Sequence, residues 1–251
     1  MSLPDPWQSL AALTAARIAL GRAGCSLPTA AVLRFDVAHA LARDAVHQVL
    51  DVEGLLSRWR EMDGSEAVVV DSQASNRHVY LQRPDLGRCL DEGSAALLAS
   101  QLVSGQPHDL AIVVADGLSA TAVHENALPL LHSLLPLLDG LQLAPLVIAR
   151  QGRVALGDEI GFLLQARLVL VLLGERPGLS SPDSLGAYLT FAPRIGRLDA
   201  ERNCVSNIRP AGLTPAAASV KLVWLIRAAL ARQLTGIGLK DDSEVTSLPS
   251  S

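Results

Sequence analysis

Leu110-Ala111-Ile112-Val113-Val114-Ala115-Asp116 is the stretch on which the fold turns. It is apolar without interruption and ends on a carboxylate. A strand with one wet face alternates apolar and polar side chains, whereas a strand covered on both faces does not. The same form recurs at Ala67-Val68-Val69-Val70-Asp71, at Leu146-Val147-Ile148-Ala149 and at Leu168-Val169-Leu170-Val171-Leu172-Leu173. Segments of helical character lie between these runs, over residues 94–104, 119–138 and 158–166. Strand–helix–strand alternation with doubly covered strands predicts an α/β fold around a doubly wound, mostly parallel sheet.

Outside the sheet the period changes. Residues 7–62 read as helical. Leu10, Leu13, Ile18 and Leu20 form a partly apolar face that Gly21 and Gly24 close, and Pro28-Thr29 opens a second helix. There Ala38, Leu41, Ala42, Ala45, Val46 and Val49 recur at steps of three and four. A third short helix is expected over 52–62. Downstream, Thr214-Pro215 supplies an N-cap with proline at the first helical position, and Gly236 is the expected stop. The expected organisation is a helical region over 1–62, a sheet domain over 63–240 and a flexible polar tail over 241–251.

Composition narrows the function. The chain has 251 residues, 49% hydrophobic and 18% charged, with a formal charge of −4. That is enough apolar mass for a core, and mild acidity is the wrong sign for a nucleic-acid binder. The three cysteines, Cys25, Cys89 and Cys204, form no CxxC pair, which argues against a disulfide framework or a thiolate metal site. The most apolar segment, residues 127–149, holds Asp139, Pro129, Pro136 and Pro145 and is a poor membrane span. No leader pattern precedes the first helix, so the cytoplasm is the expected compartment.

Standard chemical motifs are absent: no GxGxxG, no P-loop, no HExxH and no GxSxG. His39/His47 and His124/His132 are each two helical turns apart, but they lack partners at metal spacing, so no metal and no catalytic residue is assigned. The turns after the strands remain. In open α/β sheets ligands sit beyond the carboxyl ends of the strands. Those ends carry Asp71, Asp116 and Glu175, and Glu175 opens the glycine- and hydroxyl-rich loop Gly174-Glu175-Arg176-Pro177-Gly178-Leu179-Ser180-Ser181-Pro182-Asp183-Ser184. One reading is a self-sufficient enzyme working through Asp71, Asp116 and Glu175. Another is an ordinary strand-to-helix loop in a structural partner whose N-terminal helices dock a larger protein. The polar stretch 199–210 offers a further strand and rim. Within it, Cys204 reads as a buried small hydrophobe rather than a nucleophile.

Six strings add to this reading. They are Leu13-Thr14-Ala15-Ala16-Arg17-Ile18-Ala19-Leu20-Gly21-Arg22-Ala23-Gly24, Arg83-Pro84-Asp85-Leu86-Gly87-Arg88, Asp116-Gly117-Leu118-Ser119-Ala120, Arg153-Val154-Ala155-Leu156-Gly157-Asp158, Gly174-Glu175-Arg176-Pro177-Gly178-Leu179 and Arg202-Asn203-Cys204-Val205-Ser206-Asn207-Ile208. In this order they closely resemble the small (light) subunit of ethanolamine ammonia-lyase, over roughly residues 8–240. The resemblance implies a Rossmann-like, cobalamin-binding domain that is inactive alone. It implies a hetero-oligomer with a large catalytic subunit, converting ethanolamine to acetaldehyde and ammonia with adenosylcobalamin shared at the interface. It also implies cofactor contacts at Val154, Glu175 and Cys204. No Asp-x-His-x-x-Gly string is present, so the cofactor is expected to keep its own base below cobalt. Members associated with bacterial microcompartments carry a longer amphipathic N-terminal extension than the few residues found here, so encapsulation is a second possible location beside the open cytoplasm.

Overall fold

The structure is a computed structural model that describes residues 7–14, 16–63, 65–100 and 107–243. The expected helix end at 101–104 and most of the expected tail, 244–251, lie outside these residues, as do residues 1–6. The described elements run α1 (Gln8–Ala11), α2 (Thr29–His47), α3 (Val52–Asp63), β1 (Val68–Asp71), α4 (Arg77–Gln82), α5 (Glu92–Ser100), β2 (His108–Ala115), α6 (Ala120–Leu134), β3 (Val147–Arg150), α7 (Leu156–Leu163), β4 (Ala166–Gly174), β5 (Leu185–Phe191), β6 (Arg202–Ile208) and α8 (Pro215–Arg232).

The apolar runs form β1 to β4, which lie side by side and parallel in the order β1-β3-β2-β4. Alternate side chains of each strand enter different cores. Leu110, Ile112 and Val114 of β2 join Leu168, Leu170 and Leu172 of β4 in a cluster closed by α3, α6 and α8. Ala111, Val113 and Ala115 face the other way, with Val169 and Val171, against Leu98 of α5 and Leu156 and Ile160 of α7. Each fully buried Leu, Ile or Val contributes about 1.5–3 kcal/mol relative to exposure, which is why the stretches 110–115 and 168–173 at the centre of β2 and β4 carry no polar side chain. Leu50, Leu55 and Trp59 belong to the first cluster, so the chain around α3 is packed against the sheet.

Two expectations about the sheet need correction. It is not mostly parallel but mixed and six-stranded, with β4-β5 and β5-β6 both antiparallel. The segment between Gly174 and Leu185 is too short for a crossover helix, which a parallel return requires. The serine-rich loop therefore leads into a strand, not a helix.

The helices needed smaller changes. The expected first helix shrinks to the single turn α1, and the described residues from 16 to Pro28 form no helix, with Ala19, Gly21 and Gly24 at positive φ. Thr214 caps α8 as expected, its hydroxyl accepting from the Ala217 N–H at 3.3 Å. Gly236 does not end that helix. Gln233 takes the left-handed conformation at its C-cap instead, and Gly236 packs its backbone against Ala200 and Glu201. Beyond it, Asp241 is held to α8 by Lys221 at 2.6 Å.

This topology gathers the strand ends at one edge. β1 to β4 all finish there. In the antiparallel return, Leu185 opposes both Gly174 and Ile208, so β5 starts and β6 ends at that same edge.

Candidate functional site

The six quoted strings are far apart in sequence, yet most of them touch at this edge. Gly117 after β2 has φ +56°, and a Cβ there would lie 2.2 Å from the carbonyl oxygen of Gly174, the last residue of β4. The Leu118 N–H donates to that same oxygen at 2.8 Å. A Cβ on Gly174 would in turn lie 2.0 Å from the Ser119 carbonyl. Both glycines are required because two loop backbones press directly on each other. The Arg153 N–H donates to the Gly87 carbonyl at 2.8 Å, which joins the 83–88 and 153–158 strings. The 153–158 and 202–208 strings meet through a buried pair, with Arg202 donating to both oxygens of Asp158 at 2.6 and 2.7 Å. Arg17 reaches the Leu179 carbonyl at 3.4 Å.

The strand-end carboxylates are not free acid–base groups. Asp71 accepts two hydrogen bonds from Arg150, both at 2.7 Å. Asp116 is fully buried. Its Oδ1 accepts from the Gly152 N–H at 3.0 Å and its Oδ2 faces Arg77 Nη1 at 3.4 Å. Burial lifts this carboxyl to about 6, against the opposing pull of Arg77 and nearby backbone N–H groups. Arg77 also donates to the Gly117 and Val46 carbonyls, each at 2.7 Å. Beside it lies Tyr80, fully buried and flanked by the Arg77 and Arg153 guanidiniums at 4.9 and 4.3 Å from its ring centre. Its hydroxyl donates to the Gly152 carbonyl at 3.0 Å. These groups form a polar under-layer that fixes the loops above it. They leave the self-sufficient-enzyme reading with two of its three carboxylates, Asp71 and Asp116, engaged inside the protein.

Glu175 sits on top of this layer. Its Oε2 accepts from Ser184 Oγ at 2.6 Å and from the Asn207 N–H at 3.2 Å, which ties the end of β4 to the start of β5 and the end of β6. Its Oε1 accepts no hydrogen bond from the described residues. Glu175 lines an open depression of about 380 Å³ with Tyr80, Leu118, Arg153, Arg176 and Tyr188. Val154, half-buried in the turn after β3, lines a neighbouring depression of about 200 Å³. The two share Arg153 and Leu173. Cys204 lies on β6 opposite Tyr188 of β5, so it borders the Glu175 side of the rim. It is exposed rather than the core thiol its sequence suggests. Partial desolvation and the Glu175 charge raise its pKa, against a hydrogen bond with Tyr188, so it is held as a thiol. Burial and the nearby Cys204 and Glu175 likewise push the Tyr188 phenol upward.

Of the sequence-derived trio, Val154 and Glu175 line adjoining depressions that share Arg153, and Cys204 pairs across the sheet with Tyr188, which lines the Glu175 depression. Tyr80, Arg153 and Tyr188 were not singled out from sequence. The one available signal was that Arg153 opens a quoted string. His124 has a structural task, accepting the Asp51 N–H at 2.8 Å. Among the described residues no group of three or more His, Cys, Asp or Glu converges to hold a metal ion, and no helix is long and apolar enough to cross a membrane.

Comparison with known proteins agrees over most of the chain. The family model described as ethanolamine ammonia-lyase light chain matches residues 4–240. The chain is 56% identical to the ethanolamine ammonia-lyase small subunit of Xanthomonas campestris pv. campestris, over 96% of this chain and 89% of that protein. It is equally similar, at 56%, to the small subunit of Pseudomonas putida (strain GB-1), over 98% and 92%. With that of Bradyrhizobium diazoefficiens it shares 55% identity, over 95% and 91%.

Proposed function

We propose a function from one premise: this chain belongs to the ethanolamine ammonia-lyase light chain family. It acts as the small subunit of that lyase, paired with a large catalytic subunit, in the conversion of ethanolamine to acetaldehyde and ammonia. It helps hold adenosylcobalamin at the interface, base-on, through Val154, Glu175 and Cys204. When bound, that cofactor supplies the radical chemistry, and the protein supplies position and electrostatics.

The observation that carries this reading is the shape and chemistry of the rim. Val154 and Glu175 border two adjoining open depressions that share Arg153 and Leu173, Cys204 on β6 pairs with Tyr188 of the second, and a carboxylate oxygen, Glu175 Oε1, is left without a donor among the described residues. A corrin edged with amide groups offers N–H donors to such an acceptor. Val154 contributes an apolar wall, and Cys204 a neutral, polarisable contact. Neither depression encloses a ligand, which suits a group covered from its other side by a second subunit. The rim includes no free acid–base pair among the described residues, consistent with a chain that binds rather than reacts.

The same proposal gives α2 a role. Val32, Leu33, Phe35, Val37 and Leu41 are all exposed on it, which is more apolar surface than a lone helix leaves to water without reason. We assign this helical region, within residues 1–62, to docking the large subunit. The expected setting is the cytoplasm or the interior of a bacterial microcompartment.

The test is reconstitution. The purified chain alone should not deaminate ethanolamine. Co-expression with the large subunit should give activity that depends on added adenosylcobalamin. Turnover by the chain freed of large subunit, or full activity of the large subunit without it, would overturn the proposal.

A further inference from the structure

The depression beside Val154 is basic, and its charges do not cancel. Arg88, Arg153, Arg197 and Arg202 all line it. Arg202 is neutralised by Asp158 and Arg197 by Glu201. Arg88 and Arg153 form no ion pair among the described residues. The Arg88 guanidinium makes no hydrogen bond to them either. Arg153 makes one through its guanidinium, from Nη2 to the Tyr80 carbonyl at 3.3 Å, and its Nε is buried without a partner. The one carboxylate in the wall, Asp199, is almost fully exposed and lies 3.5 Å from Arg202.

A second observation points the same way. The backbone N–H groups of Val154 and Ala155 find no acceptor among the described residues, and α7 begins at the next residue with no side-chain cap. The acidic residues of its first turn are engaged elsewhere, Asp158 with Arg202 and Glu159 with the Leu90 N–H at 2.8 Å. A helix start with free N–H groups and two uncompensated guanidiniums is an anion site, and planar guanidinium forks suit phosphoryl oxygens best. The site is also built in advance. Arg153 is stacked on Tyr80, and Gly87 is the residue that admits it, since a Cβ there would lie 3.0 Å from Arg153 Cγ.

We propose that Arg88 and Arg153, with the Val154 and Ala155 N–H groups, bind a phosphodiester, and that this is the phosphodiester in the nucleotide loop of the corrin cofactor. The inference rests on the cofactor reading above, because the depression shares Val154 with it. It goes further in naming the chemical group that this end of the rim recognises.

The experiment uses the complex reconstituted with the large subunit, titrated by absorbance with three ligands. Adenosylcobalamin and adenosylcobinamide phosphate carry the phosphoryl group, and adenosylcobinamide lacks it. Arg88→Gln and Arg153→Gln should each weaken the two phosphoryl ligands about tenfold or more, and Arg88→Gln, which is outside the Tyr80 stack, should leave adenosylcobinamide unchanged. Arg88 is exposed, so its variant folds even if losing the Arg153–Tyr80 stack does not permit the other. Equal effects of Arg88→Gln on all three ligands, or none, would overturn the subsite. Inorganic phosphate that still binds after saturation with adenosylcobalamin would assign the site to a separate anion and overturn it as well. Glu175→Gln serves as the control. If it weakens all three ligands while the arginine variants do nothing, the cofactor reading stands and the phosphodiester subsite falls. If no corrin binds the wild-type complex, both fall.

Discussion

Glu175→Gln separates the two roles the structure gives this side chain. Oε2 is used inside the protein, where it accepts from Ser184 Oγ at 2.6 Å and the Asn207 N–H at 3.2 Å. Oε1 faces the depression with no donor from the described residues. A glutamine can turn its single oxygen toward Ser184 and Asn207 and keep both inner bonds. Each then drops from a charge-assisted to a neutral hydrogen bond, a loss of about 1 kcal/mol apiece. Glu175 is half-buried, and solvent screening trims the total to about 1 kcal/mol, or a melting temperature lower by roughly 2–4 °C for a chain of this size. The outer face changes more. The amide NH₂ now stands where Oε1 stood and presents donors to donors. A lost charge-assisted bond of about 1.5–3 kcal/mol lowers cofactor affinity roughly tenfold to hundredfold. The assay is adenosylcobalamin titration of the reconstituted complex beside a thermal melt of the isolated subunit. Unchanged affinity with a lower melting temperature would refute the reasoning, since it would leave Glu175 as a clamp between β4, β5 and β6 and nothing more.

Two further outcomes follow from the under-layer. Gly117→Ala places a Cβ 2.2 Å from the Gly174 carbonyl at φ +56°, so denaturant unfolding should show a loss of roughly 2–5 kcal/mol, and an unshifted midpoint would mean the two loops do not press together. Asp116, raised from 3.8 to about 6, binds its proton more tightly folded than unfolded. Its contribution therefore favours the folded state at low pH and is lost as pH rises from about 4 through about 6, by up to about 3 kcal/mol, a slope that Asp116→Asn should abolish. Identical pH profiles for the two proteins would show that Arg77 fully compensates the buried charge.

The legible parts of the fold are those where a residue's task shows in its chemistry. Strands β1 to β4 are apolar on both faces because helices cover both, and nothing but that arrangement writes Leu168 to Leu173 without a polar residue. β5 was hidden for the opposite reason. Leu185-Gly186-Ala187-Tyr188 holds a glycine at its second position, because a Cβ on Gly186 would lie 2.9 Å from both Glu175 Oε1 and the Tyr188 ring, and glycine there reads as loop. The first helix was over-read because Leu10, Leu13 and Ile18 keep a helical period while remaining exposed, so the period there records no packing. Glu175 could be found as a carboxylate at a strand tip. Val154 and Cys204 could not, because a valine and a cysteine carry no chemical signature of a site. They came from resemblance alone.

The architecture also explains why the three proposed cofactor contacts, on two loops and a strand, need so many unrelated-looking strings. Val154, Glu175 and Cys204 are separated by whole elements, so their mutual placement depends on contacts that none of them makes. Gly117 against Gly174 sets the height of the Glu175 loop. Arg153, stacked on Tyr80 and bonded to Gly87, sets the Val154 turn. The buried Arg202–Asp158 pair ties that turn to β6 and hence to Cys204. Removing one partner of such a buried pair costs about 3–5 kcal/mol, since the other charge is left uncompensated. Three of the strings carry one proposed rim residue each, and the others contribute contacts that hold the neighbouring loops. A substitution in the under-layer should move the rim as a unit, whereas one at Val154 or Cys204 should alter a single contact. That difference separates positioning residues from contacting ones without any view of the ligand.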